Sequence, residues 1–325
     1  MGLFAATGPV ARPVLETLAN NAAYGLEESP VWQSELRGFF SVGAGATPPG
    51  LYMIRPYSPG RIPVVFVHGA ASSPARWIPM FNSLQAYPEL RQAFQYSFFT
   101  YGTGNSIVHS AHLLREALRQ AVDRLDPQGT DLALRRTVVI GHSQGGILTK
   151  LLVVDSGSRF WDRISSRRLE ALELSDEARE LVRQVMFFER VPTVRRVVFI
   201  STPHRGSLLA RPRAVKLAAS ALELPGNVLR AGGEVLRALR DDEALAVIRA
   251  TEGVPTSIEG MAPDNPFLET LADLPIPPEV ASHSIIAVKG EGPVEEGDDG
   301  VVKYTRIALA PSSFTRDATA SRSWI

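Results

Sequence analysis

The sequence predicts an α/β protein with a mostly parallel central sheet flanked by helices, and three observations carry that prediction. First, β-branched apolar runs at Ile62–Val67, at Val138-Val139-Ile140 and at residues 194–201 read as strands buried on both faces, the pattern of a parallel sheet. Second, the intervening stretches carry helical periodicity, most clearly over Ile107–Leu125. Third, each run breaks off in a turn of small residues, so loops able to carry chemistry gather at one edge of the sheet.

Taken in order, residues 13–27 read as a helix, and 38–50 as a turn-rich approach to an early edge strand over 51–57. The central strand Ile62–Val67 stops at His68-Gly69-Ala70-Ala71, after which Ser73 and Pro74 suit a helix start. Residues 96–101 form another strand. Thr103-Gly104-Asn105-Ser106 then turns the chain into the amphipathic helix Ile107–Leu125, where His109 and His112 sit one turn apart. That spacing can hold a metal, but no third ligand accompanies it, so packing or surface roles are expected.

The stretch that organises the rest is Val138-Val139-Ile140-Gly141-His142-Ser143-Gln144-Gly145-Gly146, a buried strand ending in Gly-x-Ser-x-Gly with a helix expected to follow through Val154. Such a turn lifts a serine hydroxyl above the carboxyl edge of the sheet, at a helix start that favours developing negative charge. Acyl transfer needs two N–H donors for the oxyanion, one from the residue after the nucleophile and one from the loop after the central strand. Gln144 and Ala70 are the candidates.

Residues 155–191 are rich in charge, with Arg159-Phe160-Trp161 and Met186-Phe187-Phe188 at the two ends. Two readings stand open: a cap whose exposed aromatics line an acyl pocket, or a helical layer packed on the sheet. After the strand at 194–201 comes Thr202-Pro203-His204-Arg205-Gly206-Ser207, where His204 borders the site or holds its loop. The apolar stripes of 208–254, broken at Pro225-Gly226, read as core or as a lid over a lipid-like substrate. A further strand spans 283–288 and an acidic loop 291–300.

These segments together resemble the α/β-hydrolase superfamily, and within it a group of bacterial serine esterases and lipases. The similar stretches are 50–57, 63–77, 141–146, 201–207, 263–268, 283–287 and 298–302, in family order. The resemblance implies an α/β-hydrolase domain over 51–304, with cap insertions at about 155–192 and 207–260, an N-terminal extension over 1–50 and an atypical tail over 305–325. It also implies ester hydrolysis through an acyl-serine, with Ser143 as nucleophile and no cofactor. Matching the family's Asp-Gly-Val-Val pattern makes Asp299 the acid. Where the family carries Met after the nucleophile, this chain has Gln144.

The base is missing. The family's histidine would follow Asp299 by some twenty residues, but the six histidines stand at 68, 109, 112, 142, 204 and 283. The sequence changes character from Thr305, as a reading-frame shift near Tyr304 would make it. His283, opening its strand, is expected about 17 Å from the carboxyl edge. His68 and His204, on the correct face, remain weak candidates. A second reading is therefore a non-catalytic binder of ester-like ligands.

Composition narrows the classes further. With 34 basic and 34 acidic residues the net charge is zero, so no nucleic-acid partner is expected. The absence of cysteine excludes disulfides, thiolate zinc sites and a cysteine nucleophile. No run of about 18 apolar residues is present. The start lacks a signal peptide, so the protein as written is expected to stay where it is made, or to be exported if its beginning has been lost.

Overall fold

The structure is a computed structural model that describes residues 48–207, 226–239, 260–263 and 265–287. Six strands, β1 (Gly50–Met53), β2 (Ile62–Val67), β3 (Phe94–Thr100), β4 (Thr137–His142), β5 (Val194–Ile200) and β6 (Ala281–Ile285), form one sheet in the order β1-β3-β2-β4-β5-β6. β1 runs antiparallel to β3 and every other pairing is parallel. The fold class expected from sequence is therefore the one observed.

Strand alternation splits the core between two faces. Val65 and Val67 of β2 join Phe99 and Val139 under α3 (Ile107–Leu125) and α4 (Gln144–Lys150), with Leu268 and Leu271 of a later helix, Pro266–Asp273. Val64 and Phe66 point the other way, to Trp77 and Phe81, which lie in a 3₁₀ turn (Pro74–Trp77) and in α1 (Ile78–Ala86). Phe66 is fully buried and its ring lies 5.0–6.0 Å from those of Trp77, Tyr96 and Phe98. A short helix α2 (Pro88–Ala93) leads directly into β3. Ser73 does stand at the amino end of the 3₁₀ turn, though its hydroxyl makes no capping bond.

The amphipathic helix has the predicted bounds, Ile107–Leu125, whereas α4 stops at Lys150, four residues before the expected end. Residues 151–153 tighten through Leu152 N–H to Thr149 O and Val153 N–H to Lys150 O, and Leu152 O accepts from Val191 N–H. The β-branched pair Val153-Val154 adds little helix propensity to resist that pull.

Both ends of the 155–191 segment are thus fastened at Leu152 and Val191, beside the amino end of β5. Its helix α5 (Asp176–Met186) is started by Ser175, whose hydroxyl accepts from Ala178 N–H. α5 packs against α3 and against α6 (Gly226–Ala238). The aromatics at its two ends are mostly core: Phe160, Trp161 and Phe188 are 2%, 3% and 8% exposed. Phe160 stacks on Phe188 and on Phe267 of α7 (Pro266–Asp273) at 5.8 and 4.6 Å, and Trp161 joins Leu169, Leu172 and Val182 in a separate cluster. Large rings gain more from burial than a surface segment could offer them, and of the two readings left open for this segment the packed layer is the one that fits.

The last strand also departs from expectation. β6 begins at Ala281, and its register pairs His283 with Val198 and Ile285 with Ile200, so His283 stands two positions from the carboxyl end of β6. Its ring is exposed beside Arg196. Pairing with β5, which local sequence does not reveal, sets where this strand starts. The helix expected over 13–27, most of the 208–254 stretch, Asp298, Asp299 and the tail over 305–325 lie outside the described residues.

Candidate active site

The site begins at the carboxyl end of β4. Ser143 has φ 51° and ψ −122°, in the left-handed half of backbone space that costs a non-glycine residue about 1–3 kcal/mol. The surroundings enforce it: Ser143 N–H donates to Ile200 O at 2.9 Å, and Ser143 O accepts from Gly146 N–H at 2.9 Å. Gly145 sits so close beneath the end of β2 that a Cβ there would fall 2.2 Å from Val67 O and 2.5 Å from His68 O. Only glycine permits that approach. Ser143 is half-buried, and among the described residues its hydroxyl has no hydrogen-bond partner.

The loop after β2 lies against this turn. A Cβ on Gly69 would come 3.0 Å from Ser143 Cβ, so the residue before Ala70 lies against the serine. Ala71 is also left-handed, with φ 49°, and its N–H donates to Thr103 Oγ1 at 3.3 Å. Gln144 is fully buried, and its main-chain N–H, the first of α4, has no acceptor within the helix. Ser143 and Gln144 therefore stand at the end of β4, with Gly69, the residue before Ala70, against the serine from the neighbouring strand β2.

The histidines are held differently. His68 is buried with its ring stacked 4.5 Å from that of Tyr101, whose hydroxyl donates to His68 O at 2.8 Å. Its Nδ1 lies 3.1 Å from Gly69 O, while Nε2 has no partner among the described residues. Burial, followed by the neighbouring His142, pushes its pKa down to about 4, the contact with Gly69 opposing. His204 is 3% exposed, edge-on to Phe199 at 4.8 Å, and neither ring nitrogen has a partner among the described residues. Burial, then Lys150 and Arg205, push it down to about 3. Its loop is pinned by Ser207 N–H to Met261 O and by Ser201, which is left-handed at φ 46° and donates to Ile285 O. Neither imidazole hydrogen-bonds Ser143, and both are neutral at physiological pH with little basicity.

His109 and His112 on α3 meet no third ligand: among the described residues no three side chains of metal-binding type come together. Among the described residues no helix is long and apolar enough to cross a membrane. Sequence reasoning missed Thr103, read only as part of a turn, and the left-handed residues Ala71 and Ser201, since nothing in Ala-Ala or Ile-Ser marks positive φ.

Comparisons with known proteins bear on this arrangement. The sequence pattern of the alpha/beta hydrolase family matches residues 64–317. No curated protein matches the chain. Among solved structures, the mature form of the Bacillus licheniformis lipase BlEst2 is similar at 15% identity and a TM-score of 0.45, over 82% of this chain and 87% of that one. Phospholipase PlaB from Legionella pneumophila is similar at 15% identity and 0.40, over 76% and 46%. A propionate-bound esterase from Thermogutta terrifontis is similar at 17% identity and 0.29, over 53% and 56%. The family match spans most of the chain and supports hydrolase activity; on that ground the protein belongs to the alpha/beta hydrolase family.

Proposed function

We propose that the protein is a serine carboxylic ester hydrolase of esterase or lipase type, working through an acyl-serine on short to medium acyl esters, polyesters and lipid-like esters included. The observation that carries this reading is Ser143 itself: a left-handed serine with an uncommitted hydroxyl, beside a loop whose main chain approaches it as closely as glycine allows. In the first half-reaction Ser143 Oγ attacks the ester carbonyl and the alcohol leaves. The N–H groups of Ala70 and Gln144 hold the oxyanion, and Asp299 orients the base. Water then attacks the acyl-serine, returning Ser143 and releasing the acid.

The base is the weak member of this scheme. His68 and His204 are both buried and depressed in pKa, and neither reaches Ser143 through a hydrogen bond. Without an efficient base, the donor pair and binding alone leave a residual rate of about 10³ to 10⁴ over water, judged from triad deletions in other hydrolases. That same observation supports a second reading, a binder of ester-like ligands that no longer turns them over.

A fluorophosphonate probe and p-nitrophenyl butyrate separate the two. Labelling that maps to Ser143 and vanishes in Ser143→Ala, with turnover lost in parallel, is expected of the hydrolase. A chain that neither labels nor turns over, yet still binds a non-hydrolysable ester analogue, is the binder. Activity removed by EDTA would instead point to a metal-dependent hydrolase.

A further inference from the structure

The two proposed oxyanion donors belong to different loops, so something must hold Ala70 and Gln144 in register. The ends of three adjacent parallel strands meet here, β3 beside β2 beside β4. Thr103, three residues past the end of β3, is fully buried. Its Oγ1 accepts from Ala71 N–H at 3.3 Å, fixing the left-handed residue that follows Ala70. Its main-chain O accepts from Gln144 Nε2 at 3.4 Å. One residue therefore touches both donor-bearing segments, the first through its hydroxyl and the second through its carbonyl.

Gln144 makes the second contact at a cost. Its side chain is fully buried, and Oε1 has no partner among the described residues. A buried amide oxygen left unpaired opposes folding, so an apolar side chain of similar length would suit the cavity better if packing were the only requirement. What the amide supplies is the tie to Thr103.

We propose that Thr103 and the side chain of Gln144 are positioning residues, a clasp between the loop after β3 and the serine turn that sets the spacing of the Ala70 and Gln144 N–H groups. The clasp touches no reacting atom. It acts through Ala71 on one side and through the body of Gln144 on the other, and its catalytic meaning rests on the serine-hydrolase reading above. Loosening it lets the donors drift, and misplacement on the scale of an ångström costs up to about a hundredfold in rate. A drop of roughly tenfold in acylation is expected when either contact is removed.

The test compares Thr103→Val, which removes the hydroxyl at constant shape, with Thr103→Ser, which keeps it, and with Gln144→Met. Three quantities are read on the full chain: the fluorophosphonate labelling rate at Ser143, hydrogen exchange of the amides at 69–72, and the thermal midpoint. The clasp requires slower labelling and faster exchange in Thr103→Val, with both restored in Thr103→Ser. It further requires slower labelling in Gln144→Met at an unchanged or higher midpoint, a split that a packing role would not produce. Equal labelling in all three variants overturns the proposal, as does a loss in Gln144→Met that merely follows a lowered midpoint. If the parent chain does not label at all, the hydrolase reading falls by itself. The clasp is then judged by exchange alone: unchanged protection at 69–72 in Thr103→Val overturns it, and faster exchange restored by serine upholds it as a structural tie.

Discussion

At the scale of single residues, the serine turn is specified by contacts that leave no space. A Cβ on Gly146 would fall 1.8 Å from Thr202 Oγ1 and 2.7 Å from Thr202 Cβ. Helix propensity alone would make Gly146→Ala stabilising by about 1 kcal/mol. The clash dominates, and we predict a net loss of about 1–3 kcal/mol, measured as a shift in the denaturant midpoint. A variant as stable as the parent would show that α4 and the loop after β5 can separate freely. Histidine burial gives a second prediction. As pH falls through about 6.5 the unfolded chain takes up protons on His68 and His204, while the folded chain stays neutral there until about 4 and 3. Stability is therefore complete above 6.5 and declines below it, by at most about 1.4 kcal/mol per pH unit for each histidine. Replacing His204 with Gln should flatten that decline by one histidine's share, and an unchanged slope between pH 6.5 and 4 would contradict the burial argument. The turn could be read in advance because its glycines stand within six consecutive positions. Thr103 could not, since its partners Ala71 and Gln144 are 32 and 41 residues away.

Among elements, legibility followed how local each determinant is. The helix Ile107–Leu125 carries its own amphipathic period, burying Ala111, Leu114 and Leu118, and its bounds were read to the residue. β6 carries no such signal: all five of its residues are exposed, and its start follows from hydrogen bonding to β5. The 155–191 segment stayed open between two readings for a related reason, because Phe160 finds its contacts on Phe188 and on Phe267, far along the chain. Truncating Phe160 to Ala should cost about 3–5 kcal/mol of stability, the usual loss for a buried ring. A Phe160→Ala protein that melts like the parent but changes its preference among acyl chain lengths would return that ring to the substrate pocket.

For the whole molecule, strand pattern was enough for the class of fold, since the three adjacent central strands β2, β4 and β5 are the apolar, β-branched runs visible in the sequence. The histidine question was legible only as an absence, and structure adds that the two on the correct face are sealed and neutral. The hold on Ser143 draws on both sides of the chain around it: β2 leads into Gly69, which lies against the serine, and β5 ends in Ile200, whose carbonyl accepts from Ser143 N–H. Domains generally fold as units. The strained turn at Ser143 thus gains its full support only after translation has passed β5, some sixty residues beyond the serine itself.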